Sequence, residues 1–313
     1  MKTAFVYAGQ GSQKEGMGSD LYNKYETFKN AFDSVDYDGG KLKNLCFHGS
    51  EAELADTRNT QPAMVAFAYA MTQLLKSCNI TPSMVAGLSL GEYSALSAAG
   101  AMKGETAVRL AAFRGNAMAD AVMGLHSKMV AVLKLDREKL RQICREASRY
   151  GVVEIANYNC PGQLVIAGEA EAVDKASEMC MSEGAKRCIP LNVSGPFHTS
   201  LLKIAGDKLA EKFKSMEFRE MNIPVVFNVT GRTIGSGETI KELLERQVQS
   251  SVYFEDSVRY MIGCGIDNII EIGPGKVLSG FIKKIDPSVN TFAVENCEDF
   301  EDLKDRWGEI NGK

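Results

Sequence analysis

The sequence of 313 residues lacks the features that mark several common classes of protein. It has no basic run, and its net charge of -4 argues against electrostatic binding of nucleic acids. No apolar run is long enough to cross a bilayer, and no signal-peptide pattern opens the chain. We therefore expect a cytoplasmic protein that binds neither nucleic acids nor membranes.

Residue types that bind metals or form redox pairs are scattered or few. Eight cysteines are spread along the chain without a Cys-x-x-Cys pair, as expected of reduced core or surface residues. Histidine occurs only three times, at His48, His126 and His198. Any reaction that needs a histidine base therefore has only three candidates.

What the chain does contain is an alternation of apolar runs with helical patterns. Over the first 125 residues, the patterns predict the strands Thr3–Ala8 and Met84–Gly87 and helices over Asp20–Phe32, at about Gln61–Ser77 and from Gly91. After residue 196 the alternation resumes, with the predicted elements Pro224–Val229, Ile240–Gln249, Asn268–Ile272, Val277–Ile285 and Thr291–Val294. This order favours an α/β domain with a mainly parallel sheet.

Residues 126–196 follow a different order of predicted elements. In turn these are a strand, a helix, two strands, a helix and a strand, at Met129–Leu135, Arg137–Arg149, Val152–Ala156, Leu164–Ala167, Glu171–Ser182 and Lys186–Leu191. The order β-α-β-β-α-β is that of a ferredoxin-like unit. We therefore predict a discontinuous α/β domain, residues 1–125 and 197–313, with a small ferredoxin-like domain inserted at 126–196.

The strongest chemical motif is Gly87-Leu88-Ser89-Leu90-Gly91, a Gly-x-Ser-x-Gly pattern between a predicted strand and a predicted helix. Such a tight turn holds the serine in a strained backbone conformation, for which the glycines leave room, and presents its hydroxyl at a helix N-terminus. An ordinary turn between a strand and a helix could have the same sequence. In this context the motif predicts that Ser89 is a nucleophile in a hydrolase-like α/β domain.

A nucleophilic serine needs a base, and His198 is the best candidate. It follows the Gly195-Pro196 turn where the chain returns from the inserted domain, and this turn fixes the backbone before it. His48 is predicted to lie in the loop Cys46–Ser50, and His126 at the domain junction. Because a single histidine is more often a surface or core residue than a catalyst, this argument alone does not decide among the three.

The loop Gly9–Gln13 follows the first predicted strand, where a dinucleotide-binding motif would lie. The Rossmann pattern requires glycine at the position of Lys14, and a phosphate loop would require lysine and then serine or threonine after Gly16. Both nucleotide-binding patterns are therefore excluded. A glycine-rich loop can instead present backbone N–H groups to an oxyanion.

Arg114 lies in an apolar helical stretch predicted over Glu105–Val122. An isolated buried charge is costly, so this arginine should have an anionic partner. The partner is either a carboxylate of the protein, in a structural ion pair, or an anionic group of a substrate.

Five segments resemble, in the same order, those of bacterial malonyl-CoA:acyl carrier protein transacylases. They are Gly9–Gln13, Gly87–Ala95, Asn157–Gln163, Gly195–His198 and Glu271–Gly275. The resemblance covers nearly the whole chain. It implies transfer of a malonyl group from malonyl-CoA to an acyl carrier protein, for fatty acid synthesis, through a serine ester and without a metal or redox cofactor.

The resemblance also implies roles for individual residues. Ser89 would be the nucleophile and His198 the general base, with the imidazole held by the backbone carbonyl of Gln247. The backbone N–H groups of Gln10 and Leu90 would form the oxyanion hole.

The same resemblance implies how the substrate and the partner are recognised. Arg114 would bind the free carboxylate of the malonyl group through two parallel charge-assisted hydrogen bonds. The family usually has histidine at the position of Leu88, so the range of accepted acyl groups stays open. Lys283 and Lys284, at the end of a predicted helix, are expected either to dock the acidic carrier protein or to be a solvated helix end.

Two other functions stay open at this point. An esterase or thioesterase with the same serine turn would pass the acyl group to water and would not need Arg114. A non-catalytic module that binds acyl chains would keep the fold but have no use for Ser89, His198 and Arg114 together.

Overall fold

A computed structural model describes residues 2–310, and the chain divides into two compact units. Unit 1 consists of Met1–Gly115, Phe218–Phe227 and Arg259–Lys313. Unit 2 consists of Asn116–Glu217 and Asn228–Val258. The predicted inserted domain falls within unit 2, and its boundaries at 126 and 196 stay a prediction.

The described residues form strands and helices of the following bounds. The strands are β1 (Thr3–Tyr7), β2 (Met84–Gly87), β3 (Ser127–Leu133), β4 (Val153–Cys160), β5 (Gln163–Glu169), β6 (Arg187–Pro190), β7 (Val225–Phe227), β8 (Arg232–Thr233), β9 (Val252–Tyr253), β10 (Asn268–Ile272) and β11 (Asn290–Val294). The α-helices are α1 (Ser19–Lys24), α2 (Glu26–Asp33), α3 (Lys41–His48), α4 (Glu51–Ala55), α5 (Thr57–Ser77), α6 (Gly91–Ala98), α7 (Gly104–Ala121), α8 (Arg137–Ala147), α9 (Ala170–Ser182), α10 (Lys203–Lys214), α11 (Ile240–Gln247), α12 (Phe254–Gly263), α13 (Val277–Ile285) and α14 (Cys297–Ile310).

The sheet of unit 1 joins its strands in the order β11-β10-β1-β2-β7, and each of these neighbouring pairs is parallel. Every residue of β1, β2 and β10 is buried. A parallel sheet that is buried on both faces explains why these strands read as nearly continuous apolar runs. The predicted parallel α/β core is confirmed. Because the strands are parallel, the loops after β1, β2 and β10 leave the sheet at the same edge.

Unit 2 contains a second sheet, in the order β6-β3-β5-β4-β9. The pairs β3/β5, β3/β6 and β4/β5 are antiparallel, whereas the short β9 runs parallel to β4. Leu140 and Ile143 of α8 and Val173 of α9 pack in one apolar cluster with Val130 and Ile166 of the sheet. The predicted order β-α-β-β-α-β is therefore present as β3-α8-β4-β5-α9-β6, which confirms the ferredoxin-like unit.

The helical character predicted over Asp20–Phe32 is present, but it is divided between two helices. Tyr25 is extended between α1 and α2, with φ -118° and ψ 111°. The ring of Tyr25 packs edge-on against Phe300, with centroids 5.0 Å apart, and its hydroxyl donates to Glu301 at 2.8 Å. These contacts with a distant segment compensate for the interruption of the helix.

One local prediction near the N-terminus is wrong: His48 was expected in a loop but is the last residue of α3. Phe47 packs against Tyr22 and Phe32, with ring centroids 5.1 and 5.5 Å apart, and so ties this helix to α1 and α2. Tertiary packing has thus formed a helix that the local sequence did not reveal.

The N-terminus of α13 is held by a buried carboxylate from the sheet. Glu271 of β10 accepts hydrogen bonds from the backbone N–H groups of Leu278 and Ser279, at 3.0 and 2.7 Å. Burial raises the pKa of Glu271, and the two N–H donors oppose this rise. The turn Gly273–Lys276 therefore connects the strand to the helix, while Glu271 supplies the cap.

Across residues 2–310, we find no helix that combines the length and the apolar character needed to cross a membrane.

Candidate active site

The turn around Ser89 has the geometry that its motif predicts. Ser89 lies between the end of β2 and the start of α6, and its φ is +53°, in the left-handed region that serine seldom adopts. A Cβ on Gly87 would lie 2.0 Å from the backbone carbon of Gly91. A Cβ on Gly91 would lie 2.1 Å from the carbonyl oxygen of Tyr7. Only glycine fits at either position, so this tight turn requires the glycines of the Gly-x-Ser-x-Gly pattern.

Leu90 lies at the N-terminal end of α6, next to the serine. The N–H groups of Gly91, Glu92 and Tyr93 donate to the carbonyls three residues before them, at 3.0 to 3.1 Å. The N–H of Leu90 comes immediately before these three, at the positive end of the helix. This is a position at which a backbone N–H can stabilise developing negative charge.

The loop after β1 packs directly against the turn. A Cβ on Gly9 would lie 2.6 Å from the carbonyl oxygen of Leu88, which shows how closely the two backbones approach. The side chain of Gln10 donates to the hydroxyl of Thr57 at 2.9 Å and accepts from the amide of Gln61 at 3.4 Å. The structure thus brings Gln10 to the edge of the sheet that carries Ser89.

Arg114 of α7 is 1% exposed and contacts the serine itself. Its Nη2 donates to Ser89 Oγ at 3.1 Å, and its Nη1 donates to Gln61 Oε1 at 2.9 Å. The guanidinium also lies 5.4 Å from the ring centroid of Tyr93. Burial lowers the pKa of Arg114, whereas Tyr93 and Glu92 oppose that shift. A buried cation beside a nucleophilic hydroxyl can bind an anionic group of an acyl substrate.

His198 lies in unit 2 and differs from the other two histidines in its burial. It is 4% exposed, whereas His48 and His126 are exposed. Its Nδ1 lies 2.8 Å from the backbone carbonyl oxygen of Gln247, and its φ is +63°. A carbonyl oxygen can only accept, so Nδ1 carries a proton, and in a neutral imidazole the lone pair is then on Nε2. This tautomer is the one that a general base needs.

The predicted site residues therefore fall into two groups. Ser89, Leu90, Gln10 and Arg114 are grouped in unit 1. His198 and the carbonyl of Gln247 are paired in unit 2.

Sequence reasoning missed Gln61, which hydrogen-bonds both Arg114 and Gln10. Gln61 is fully buried within the apolar helix α5. A glutamine in such a stretch is the signal that could have found it, because buried amides need hydrogen-bond partners.

Comparison with known proteins identifies the family of this chain. The acyl transferase domain family matches residues 4–295. Malonyl CoA-acyl carrier protein transacylase from Bacillus subtilis (strain 168) is 44% identical over 302 residues, which cover 96% of this chain and 95% of that protein.

Two solved structures extend the comparison. The crystal structure of malonyl CoA-acyl carrier protein transacylase from Clostridium perfringens Atcc 13124 is 39% identical, with a TM-score of 0.96 over 99% of this chain and 98% of that one. A malonyl-transacylase in complex with its type II PKS acyl-carrier protein is 38% identical, with a TM-score of 0.92 over 98% of this chain and 100% of that one. Because sequence and fold agree over nearly the full length, the chain belongs to the malonyl CoA-acyl carrier protein transacylase family of acyl transferases.

Proposed function

We propose that this protein transfers the malonyl group of malonyl-CoA to the pantetheine thiol of an acyl carrier protein, through an ester on Ser89. The observation that carries the proposal is the hydrogen bond of 3.1 Å from the buried guanidinium of Arg114 to Ser89 Oγ. A cation at this place suits an acyl group that ends in a carboxylate, and the relative from Bacillus subtilis is named for malonyl CoA and acyl carrier protein. The reaction supplies fatty acid synthesis.

The reaction proceeds in two half-reactions. His198 Nε2 takes the proton of Ser89, whose oxygen attacks the thioester carbonyl of malonyl-CoA. The backbone N–H groups of Gln10 and Leu90 stabilise the oxyanion of the tetrahedral intermediate. The intermediate then expels the thiolate of coenzyme A, which takes the proton from His198. The product on the enzyme is malonyl-Ser89. The hydrogen bond to the Gln247 carbonyl holds the ring throughout.

In the second half-reaction the pantetheine thiol of the carrier protein replaces coenzyme A. His198 takes the thiol proton, the thiolate attacks the malonyl ester, and the proton returns to the oxygen of Ser89. Each step is a proton transfer, an addition to a carbonyl or the expulsion of a leaving group from the tetrahedral intermediate, so we propose that no metal or redox cofactor takes part. Leu88 precedes the nucleophile and is half-buried, and its effect on acyl-group tolerance stays a prediction.

Arg114→Ala is expected to remove the preference for malonyl over acetyl. Hydrogen bonds to charged groups contribute about 1.5–3 kcal/mol, so kcat/KM for malonyl-CoA should fall about 10- to 150-fold. The acetyl group has no carboxylate, so its reaction should stay constant or improve. Competition of the two thioesters for Ser89, read by mass spectrometry as the ratio of adducts, measures the change.

A matched control exists on the same helix. Arg109 is 53% exposed and pairs with Glu105 one turn away, so Arg109→Ala should leave the adduct ratio unchanged. Arg114→Lys should not restore the preference, because an ammonium lacks the planar fork of donors. A malonyl preference that persists in Arg114→Ala would mean that another cation selects the substrate.

The carrier protein is proposed to dock near Lys283 and Lys284. Both lysines are exposed in the last turn of α13, where cations also complement the helix dipole. The protein is itself acidic, with a net charge of -4, so an acidic carrier protein needs a local basic surface to approach. These two adjacent cations provide such a surface.

Charge reversal tests this docking surface. Lys283→Glu with Lys284→Glu should raise the KM for carrier protein about 3- to 10-fold and weaken its dependence on salt. Acylation by malonyl-CoA should not change. Lys29→Glu with Lys41→Glu makes the same change in net charge at exposed positions elsewhere in unit 1 and serves as the control. Unaltered carrier kinetics in the first variant, or an equal change in both, would exclude docking at these lysines.

Cytoplasmic localisation also stays a proposal. None of the eight cysteines, all within the described residues, forms a disulfide, and four of them (Cys46, Cys144, Cys160 and Cys180) are buried. Cysteines that form no disulfide are typical of a reducing compartment. Cell fractionation tests the proposal directly.

A further inference from the structure

A chain of side-chain hydrogen bonds in unit 1 leads from Arg114 to the loop after β1. Arg114 Nη1 donates to Gln61 Oε1 at 2.9 Å. Gln61 Nε2 donates to Gln10 Oε1 at 3.4 Å, which is the longest and therefore the weakest link. Gln10 Nε2 donates to Thr57 Oγ1 at 2.9 Å. The chain thus joins the candidate carboxylate-binding residue to a candidate residue of the oxyanion hole.

The guanidinium fixes the direction of these bonds. Arginine has donors but no acceptor, so Gln61 must turn its oxygen towards Arg114 and its NH2 group towards Gln10. Gln10 must then accept with its oxygen, which leaves its own NH2 group for Thr57. Gln61 is fully buried, and Arg114 and Thr57 are each 1% exposed, so breaking a link costs more here than at the surface.

Close packing of two helices sets the positions of these side chains. Thr57 and Gln61 lie four residues apart on one face of α5. Gly115 follows Arg114 on α7, and a Cβ there would lie 2.7 Å from the carbonyl oxygen of Thr57. The glycine therefore lets α7 approach α5 closely enough for Arg114 to contact Gln61.

We propose that Gln61 is a positioning residue that links carboxylate recognition at Arg114 to the oxyanion hole at Gln10. The inference rests on the proposed function. Gln61 acts through its two neighbours: its oxygen holds the guanidinium in place, and its NH2 group holds the side chain of Gln10. Loss of this one amide therefore loosens both ends of the site. Loss of Arg114 removes the contact with the carboxylate but leaves the hydrogen bonds from Gln61 to Gln10 and from Gln10 to Thr57 in place.

Gln61→Met distinguishes the loss of Gln61 from the loss of Arg114. Methionine keeps the length of the side chain and removes the hydrogen bonds to Arg114 and Gln10. The rate of Ser89 acylation by malonyl-CoA should fall about 10- to 100-fold, and the rate with acetyl-CoA about 3- to 10-fold. Arg114→Ala should lower the malonyl rate alone. Both rates are read as adduct formation by intact-protein mass spectrometry.

The double variant tests whether the two residues act together. Once Gln61→Met has displaced the guanidinium, removing Arg114 should cost little more in the malonyl reaction. The combined loss should therefore be well below the product of the two single losses. Multiplicative losses would mean that Gln61 does not act through Arg114.

Gln73→Met is the matched control, since Gln73 lies about three turns farther along α5. Gln73→Met should leave both acylation rates unchanged. If Gln61→Met leaves the acetyl rate at the wild-type value, or if Gln73→Met lowers both rates as much as Gln61→Met does, the proposed link is wrong.

A second variant covers the case in which Gln61→Met does not fold. Thr57→Val keeps the shape of the side chain and removes the acceptor that holds Gln10, so both rates should fall by the same factor of about 3. Wild-type rates in Thr57→Val would contradict the proposal. Absence of a malonyl adduct on the wild-type protein would instead contradict the proposed function, so the two failures are distinct.

Discussion

Ser89→Ala is expected to abolish the malonyl adduct that the protein forms with malonyl-CoA. The adduct is an ester of the serine oxygen, and alanine offers no atom to form it. The fold should be retained, because Ser89 is only half-buried and alanine adopts a φ of +53° about as readily as serine does. Intact-protein mass spectrometry measures the adduct, and thermal melting should show a stability within about 1 kcal/mol of the wild type.

Ser97→Ala is the control for this change. Ser97 lies on α6, about two turns beyond Ser89, and loses the same hydroxyl group. Its variant should be labelled fully. Full labelling of Ser89→Ala would show that another residue carries the malonyl group.

His198→Ala is expected to slow acylation of Ser89 by about 10² to 10⁴, the usual range for a positioned general base. The bond of 2.8 Å from Nδ1 to the carbonyl of Gln247 leaves Nε2 as the basic nitrogen, and alanine removes it. The rate of adduct formation under single-turnover conditions measures the loss. The backbone at residue 198 has a φ of +63°, so the substitution can also change the stability of the fold. The melting temperature of the variant, measured with its rate, separates the two effects.

The other two histidines are the controls. His48 and His126 are exposed, so His48→Ala and His126→Ala should leave the rate close to that of the wild type. If either of these changes lowered the rate by about 10² or more while His198→Ala had a mild effect, the base would be a different histidine.

The features that the sequence predicted well are those encoded by neighbouring residues. The parallel strands were recognised because burial on both faces makes them continuous apolar runs. The turn at Ser89 was recognised because Gly87 and Gly91 are required by contacts within a few residues or with the adjacent strand. Arg114 was singled out because a cation in an apolar helix needs a partner, and its role in binding a carboxylate stays a prediction.

The features that were missed depend on contacts between distant segments. Gln61 contacts Gln10 and Arg114, which are 51 and 53 residues away in the sequence, and no local pattern encodes either bond. The carbonyl of Gln247 could be assigned only from the resemblance, because any residue has a backbone carbonyl. The break at Tyr25 is likewise set by Phe300 and Glu301, near the other end of the chain.

The central claim is that Ser89 carries a malonyl group from coenzyme A to a carrier protein. The most direct test is intact-protein mass spectrometry of the wild-type protein after mixing with malonyl-CoA, and again after adding holo acyl carrier protein. One malonyl group per chain should appear first, persist in buffer alone, and then move to the carrier protein. No adduct at the first stage, or loss of the adduct to water at the same rate with and without the carrier protein, would contradict the account.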